Sequence, residues 1–222
     1  MRMAELSAAS GLPVPTIKYY LREGLLPAGT RTGPNQAEYD GDHLHRLRLI
    51  RALVEVGGLP LATVRSILTA IDDPTLPMHS VLGVAHRALA LRGAEPDPSP
   101  ELDAARAELD AFLERLGWRV GHDAPARAEL AQALATLRQL GWSVDARVFA
   151  RYARAADRLA AWELEQTPSD TTRERTVERA VVGTVIFEAA LVALRRLAQE
   201  HHSAARFAGP SPAEAGQDSG NG

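Results

Sequence analysis

Apolar residues recur at three- and four-residue spacing along most of this chain, which is the pattern of amphipathic helices packed on a core. Strict apolar–polar alternation, the pattern of a half-buried strand, is scarce. Glycine and proline interrupt the periodic segments at Gly11–Pro13, at Gly24, at Gly57–Gly58 and from Gly93 to Pro100. The pattern therefore predicts a mainly α-helical chain whose helices end at these positions.

The first periodic segment contains two short helices joined by the turn Gly11-Leu12-Pro13, an arrangement typical of a helix-turn-helix. At about 100° per residue, the second helix places Ile17, Tyr20 and Leu21 on one side. Its opposite side carries Lys18, Tyr19 and Arg22. The first side suits burial. The second suits a DNA groove, where cations reach phosphates or base edges, although an ordinary solvated helix has the same pattern.

The segment from Pro27 to Gly41 is rich in turn residues and predicts a hairpin or a loop. Two further helices are expected at about 42–56 and 60–71, because apolar residues form a stripe along each. The predicted fold is mainly α, with a winged helix-turn-helix whose wing is a short β-hairpin, followed by an all-helical C-terminal domain.

The rest of the chain divides at its proline-rich segment. We expect a DNA-binding domain at 1–75, a connecting helix and Pro-rich linker at 76–100, an effector and dimerisation domain at 101–205, and a disordered tail at 206–222. Two segments compete as the dimer interface. One is the coiled-coil-like seam from Leu102 to Leu116, and the other is the long helix from Thr171 to His202.

The distribution of charge along the chain adds to this prediction. The 222 residues carry a formal net charge of −3, which argues against a wholly basic nucleic-acid coat protein. Residues 1–70, however, hold eight basic and six acidic side chains. A mildly basic front segment is therefore joined to an acidic remainder.

The chain has no cysteine, which excludes disulfides, thiolate metal sites and cysteine nucleophiles. Six of the seven histidines occur as His43 and His45, His79 and His86, and His201 and His202, without an obvious carboxylate cluster beside them. We therefore expect no metal site and no cofactor. Nucleophile elbows, glycine-rich phosphate loops and isolated carboxylate pairs are also missing, so the chain is not expected to be an enzyme.

The N-terminus leads into a polar, acidic segment instead of a signal peptide, and no apolar run approaches the roughly 20 residues needed to span a bilayer. The expected location is the cytoplasm, in association with the nucleoid and without membrane contact.

The run from Ile17 to Pro27, IKYYLREGLLP, closely resembles the MerR family of bacterial transcription regulators. Two later segments resemble the family as well. Tyr39 and the apolar positions after it are similar to the end of the family's wing and its next helix, and Val56–Val64 is similar to its Gly-hydrophobic-x-Leu turn. The resemblance covers about residues 1–72.

This resemblance implies that Thr16, Lys18 and Tyr19 occupy positions of the recognition helix that commonly touch DNA. Lys18 stands where the family usually has arginine, so it keeps the charge but loses the bidentate fork. Arg22 adds a second cation to the same side. In the wing we expect Arg31, Asn35, Gln36 and Tyr39 to contribute, and Arg46, Arg48 and Arg51 to add charge near the backbone or to lie on a solvated face.

The resemblance also implies a homodimer that binds a palindromic site in double-stranded promoter DNA and distorts it. RNA polymerase is then an indirect partner, because it engages the distorted promoter. A small-molecule effector is expected to bind in the helical domain. Its candidate contacts are aromatic residues, although such residues more often form core: Trp118, Trp142, Tyr152, Trp162 and Phe187. The alternative is an effector-independent architectural or excisionase-like DNA binder whose C-terminal domain docks a protein partner.

Overall fold

A computed structural model describes residues 1–33, 36–90, 98–166 and 172–207. The first part contains α1 (Met3–Ser10), α2 (Val14–Arg22), the strands β1 (Thr30–Gly33) and β2 (Gln36–Glu38), α3 (Gly41–Arg51) with a π-helical turn at Ala52–Val56, α4 (Leu61–Asp72) and α5 (Met78–Ala90). The second part contains α6 (Pro100–Leu116), α7 (Pro125–Gln139), a 3₁₀ turn at Ala146–Phe149, α8 (Ala150–Glu165) and α9 (Arg173–Phe207). The predicted fold class is confirmed.

The buried residues form two clusters. The first core takes side chains from α1 to α5, from their connections and from α9, with Leu6, Ile17, Leu47 and Ile50 fully buried. Its apolar positions lie at the helical spacing read from the sequence, and Ile17 and Tyr20 point inward as the helical wheel predicts. This core fixes the helix-turn-helix against α3 and α4.

The second core lies between α6, α7, the 3₁₀ turn and the start of α8. Leu102, Ala105, Leu109 and Phe112 of α6 are buried there. Their alternating spacing, which made this segment a candidate dimer seam, is therefore used to pack α6 against α7 within one chain.

Helix α9 joins the two parts of the molecule. Its first half buries Val177, Val181 and Val185 in the first core, although the predicted domain ranges place this segment with residues 101–205. Polar contacts add to this packing, because His45 Nε2 of α3 lies 2.5 Å from Glu178 Oε1 and the Arg173 guanidinium donates to the Asp73 and Leu76 carbonyls. The second half of α9, from about Leu191, is exposed.

Local signals at helix ends are followed with one exception. Ser99 and Asp145 cap the segments after them, since their side chains accept from the amides of Leu102 and Arg147. Asp123, although of a residue type that favours N-caps, does not occupy the N-cap of α7. The structure places Ala124 there, without a side-chain hydrogen bond, because Pro125 already occupies the first helical position. The expected linker at 91–97 and most of the tail, 208–222, lie outside the described residues. Within the described ranges, no helix is both long and apolar enough to cross a membrane.

Candidate nucleic-acid interface

The turn between α1 and α2 is built by residues suited to it. Gly11 adopts a left-handed conformation with φ of 70°, which ends α1 at low steric cost, and Ser7 Oγ donates to the Leu12 carbonyl at 2.6 Å. Pro13 and Pro15 then lie at the start of α2, where missing amide donors cost little. Because the turn is held on both sides, the orientation of α2 relative to α1 is fixed.

The hairpin is anchored by the N-terminus of the chain. β1 and β2 are antiparallel, with Arg31 opposite Ala37. The Met1 ammonium group donates to the Tyr39 carbonyl at 2.7 Å, and the Tyr39 amide donates back to the Met1 carbonyl at 2.8 Å. A Cβ on Gly29 would lie 2.8 Å from the Tyr39 ring, so the chain needs glycine for this close approach.

A groove of about 800 Å³ separates α1 and α2 from the hairpin. We call it the α2–hairpin groove, and its polar lining includes Lys18, Arg31, Gln36 and Arg2. Lys18 and Arg31 are exposed, and neither forms an ion pair within the described residues. Two cations without ion-pair partners in the described residues and the Gln36 amide thus line one groove, which is able to bind phosphate oxygens or base edges.

The other residues predicted to contact DNA differ in position and exposure. Tyr39 forms the floor of the groove, since it is only 7% exposed. Tyr19 is half-buried, with the guanidinium of Arg22 at 5.2 Å from its ring centre, and Arg22 also lies 3.7 Å from Glu23. Thr16 is half-buried on α2. Asn35 lies outside the described residues.

Sequence reasoning did not select Arg2, which precedes α1 and lines the same groove. A basic residue directly before a predicted helix was a signal for it. The pairing of Met1 with Tyr39 brings this end of the chain to the hairpin, and local periodicity does not reveal such long-range pairing.

The three arginines of α3 separate into two roles. Arg46 binds Asp72 through both nitrogens of its fork and donates to the Leu25 carbonyl, and Arg51 pairs with Glu55, so both hold the fold together. Arg48 is exposed, without an ion pair in the part of the chain that is described, and lies beside Arg175 and Arg179 of α9. The four-residue spacing of Arg175 and Arg179 places both on one face of a helix, and this feature could have been recognised in the sequence.

The five candidate effector aromatics do not share one pocket. Trp118 Nε1 donates to Asp157 at 3.0 Å, Trp142 is 58% exposed at the end of α7, and Tyr152 lies near Arg195. Trp162 and Phe187 do meet, with ring centres 6.2 Å apart. Across the described segments, no group of three or more histidine, aspartate or glutamate side chains could hold a metal ion.

Comparison with known proteins places this geometry in context. Residues 1–71 match the model of the MerR HTH family regulatory proteins. A segment of 50 residues is 42% identical to the HTH-type transcriptional regulator ZntR homolog of Haemophilus influenzae and covers 22% of this chain and 37% of that relative. A segment of 56 residues is 41% identical to the nodulation protein NolA of Bradyrhizobium sp. (strain NC92), covering 25% of this chain and 24% of that protein. The chain thus matches well under half of these relatives' length.

One solved structure matches over nearly the whole chain. It is the crystal structure of SCO5550 from Streptomyces coelicolor A3(2), which is assigned as a transcriptional regulator. The two chains are 41% identical with a TM-score of 0.73, over 95% of this chain and 100% of that one.

The fold and the α2–hairpin groove therefore define a winged helix-turn-helix protein of the DNA-binding, transcription-regulating class. Within that class, the chain belongs to the MerR family of transcriptional regulators.

Proposed function

We propose that this MerR-family regulator acts as a homodimer that binds and distorts a palindromic promoter site under the control of a small-molecule effector. The observation that carries the proposal is the α2–hairpin groove, in which Lys18, Arg31 and Gln36 line one surface. In this proposal α2 enters the major groove, while Arg31 and Gln36 reach the adjacent backbone. Tyr19 and Thr16 then support the register of α2.

The homodimer is supported by the apolar surface that one chain leaves exposed. The apolar side chains of the α6 seam pack within the chain, which favours α9 over α6 as the interface in this proposal. In contrast, Phe187, Leu191 and Leu194 of α9 are 40%, 47% and 62% exposed, and with Ala198 they follow the four-and-three spacing of a coiled-coil seam. Two copies that pair along α9 would also set two recognition helices for the half-sites of a palindrome.

DNA binding is tested on a site selected in vitro from random duplexes, with affinity measured by gel shift over a range of salt concentrations. We expect Lys18→Ala and Arg31→Ala each to weaken binding and to reduce the salt slope by about one, because each removes one phosphate contact. Lys18→Arg keeps the positive charge, so it should have the same salt slope as the original protein. Arg106→Ala removes an exposed arginine on α6 and should leave the slope unchanged.

Unchanged titrations for both groove variants, with circular dichroism equal to that of the original protein, would contradict this role of the groove. Light scattering of the protein–DNA complex tests the stoichiometry, and one subunit per site would contradict the homodimer. We expect Leu194→Glu to yield monomers, whereas Ser203→Glu, which lies off the seam of the same helix, leaves the dimer intact.

A further inference from the structure

A pocket of about 450 Å³ lies between α3 and the beginning of α9, and we call it the α3–α9 pocket. Its lining residues on α3 lie between Gly41 and Arg48, and those on α9 are Arg175, Glu178 and Arg179. It shares no lining residue with the α2–hairpin groove, and its volume lies within the range of small-molecule sites. The pocket is therefore a second polar surface, separate from the candidate nucleic-acid interface.

Three arginine side chains line this pocket from two helices. Arg48 comes from α3, whereas Arg175 and Arg179 lie about one turn apart on the same face of α9. All three are exposed, and none forms an ion pair with another described residue. Guanidinium groups stay charged near neutral pH, so three like charges around one pocket repel each other. A bound anion would offset this repulsion.

The carboxylates of the lining do not fully neutralise the arginines. Glu178 Oε1 lies 2.5 Å from His45 Nε2, so this carboxylate already has a partner on α3. Asp42 is the other carboxylate, and it is exposed without an ion pair in the described part of the chain. Three arginines thus stand against two carboxylates, and the excess charge is positive whether or not His45 is protonated.

Recognition at this pocket depends on side chains, because the first turn of α3 is already capped. The amides of Asp42 and His43 donate to the Asp40 carboxylate at 3.0 and 3.1 Å, so they are engaged within the chain. A guanidinium fork, in contrast, matches the oxygen spacing of a phosphate group and donates two parallel hydrogen bonds to it. Several such forks suit a compact anion with many charged oxygens better than a halide or a single carboxylate. The lining therefore favours an oxyanion of the phosphate class.

The position of the pocket gives such a ligand a structural role. Helix α3 belongs to the DNA-binding part, and α9 begins beside it and continues into the second part. Val177 and Val181, in the same turns of α9 as the two arginines, are fully buried in the first core. An anion held by arginines of both helices would therefore tie α9 to α3 where the two parts of the molecule meet.

We propose that the α3–α9 pocket binds a compact oxyanion of the phosphate class with more than one negative charge, such as a diphosphate, through Arg48, Arg175 and Arg179. The phosphate is that of a free ligand and not of the DNA backbone, because these side chains surround one concave space apart from the α2–hairpin groove. This inference goes beyond the proposed function, since it adds a ligand site that DNA binding and dimerisation do not require.

The test titrates the full chain, without DNA, with inorganic pyrophosphate in a calorimeter at low and constant ionic strength. We expect a single site per chain and binding about tenfold tighter than that of sulfate, which carries less charge. Arg48→Gln, Arg175→Gln and Arg179→Gln should each weaken pyrophosphate binding by about fivefold, because each removes one charged fork. Arg48→Lys retains the charge and should weaken binding less than Arg48→Gln.

Arg196→Gln is the matched control, because it removes an exposed arginine from the same helix outside the pocket and should leave pyrophosphate binding unchanged. Circular dichroism verifies that each variant is folded. A gel shift on the selected DNA, over a range of salt concentrations, separates the two sources of phosphate. We expect Arg175→Gln and Arg179→Gln to leave the salt slope unchanged, because these arginines do not contact the DNA backbone in this proposal.

The absence of pyrophosphate binding by the folded protein would overturn the proposal, as would equally tight binding of sulfate. Equal weakening by Arg196→Gln and by the pocket variants would mean an unspecific attraction of anions, and would also overturn it. A reduced salt slope for Arg175→Gln and Arg179→Gln would assign these arginines to the DNA backbone and contradict a separate ligand site. Because the titration contains no DNA, its failure leaves the proposed function intact, and failure of specific DNA binding leaves this inference intact.

Discussion

The first core buries mainly leucine, isoleucine and valine, whereas five of the ten buried residues described for the second core are alanines. Alanine buries little apolar area, so the second core gains less free energy from the hydrophobic effect. Polar contacts bridge its elements instead. Arg138 donates to Glu108 at 2.5 Å and Arg127 to Asp110 at 2.6 Å. The DNA-binding part has ion pairs as well, such as Arg46 with Asp72, but its larger apolar core means that such pairs contribute a smaller share of its stability than they do in the second part.

The largest expected effect separates the two cores by deleting one leucine from each. Leu47 is 0% exposed in the first core and Leu109 is 1% exposed in the second, so either change to alanine should cost about 2–5 kcal/mol. We expect Leu47→Ala to lose DNA binding on moderate warming, while Leu109→Ala keeps it after its own region has melted. Thermal unfolding by circular dichroism, with gel shifts at matched temperatures, measures both.

If Leu109→Ala instead lost DNA binding in step with Leu47→Ala, the two cores would unfold as one cooperative unit. The comparison between an independent front part and a weaker rear part would then be wrong.

The second prediction concerns the contact between α9 and the first core. A Cβ at Gly57 would lie 2.5 Å from the Leu53 carbonyl oxygen and 2.5 Å from Val185 Cγ1, so Gly57→Ala forces α9 or the π-helical turn to move. We expect a loss of about 1–3 kcal/mol in the free energy of unfolding, measured by urea denaturation. Gly41→Ala is the control, because nothing lies within 4 Å of its Cβ position, and it should be neutral. Equal stability of both variants would contradict the close approach of α9.

The contact between α9 and the first core could not be predicted from the sequence. The helix-turn-helix, the hairpin and α3 to α5 follow from local periodicity and from glycine and proline at the joints. Nothing local indicates that Val177, Val181 and Val185 pack with the first core instead of the second, since an apolar stripe fits either.

The candidate site shows the same limit. Lys18 could be selected from its charge and its phase on the predicted helix, and Arg31 from its charge in the predicted hairpin, because these are local properties. Both residues line the groove. Arg2 could not, because its place depends on the pairing of Met1 with Tyr39. The five aromatics were chosen by residue type alone, and type does not fix direction. Only Phe187 among them lines a cleft between α5, α8 and α9.

The third prediction uses pH to separate the two cores. The pKa of Glu108 is lowered, mainly because the carboxylate accepts from Arg138 and also from the Ala146 amide. A carboxyl group with a lowered pKa stabilises the fold above its unfolded-state pKa and loses this contribution as pH falls through the folded-state value. We therefore expect the second core to lose stability below about pH 4.5, the ordinary value for the group.

Glu108→Gln isolates this contribution. It should cost about 1 kcal/mol at pH 7, where the charge-assisted hydrogen bonds are weakened, and less at pH 3, because the original carboxylate loses its charge as the pH falls through its lowered pKa. Unfolding monitored at both pH values measures the difference, with Glu114→Gln as an exposed control on the same helix. A cost that stays constant with pH would contradict the role of the charge.

The smallest expected effect concerns helix capping in the second part of the molecule. Asp145 caps the 3₁₀ turn through the Arg147 amide at 2.8 Å, but Ala124 occupies the N-cap of α7 and offers no side-chain acceptor. The ψ of 121° at Ala124 is already extended, as an N-cap requires. Ala124→Ser should therefore stabilise the chain by about 0.5–1 kcal/mol, because its hydroxyl provides the side-chain acceptor for first-turn amides that Ala124 lacks.

The gain should appear in the melting of the rear part while DNA binding at low temperature is unchanged. Ala124→Val is the matched control, since it enlarges the side chain without providing an acceptor and should stabilise nothing. If the serine and valine variants melted at the same temperature as the original protein, the first turn of α7 would not limit the stability of the second core. The lower stability of the second core would then be due to the small apolar area that its alanines bury.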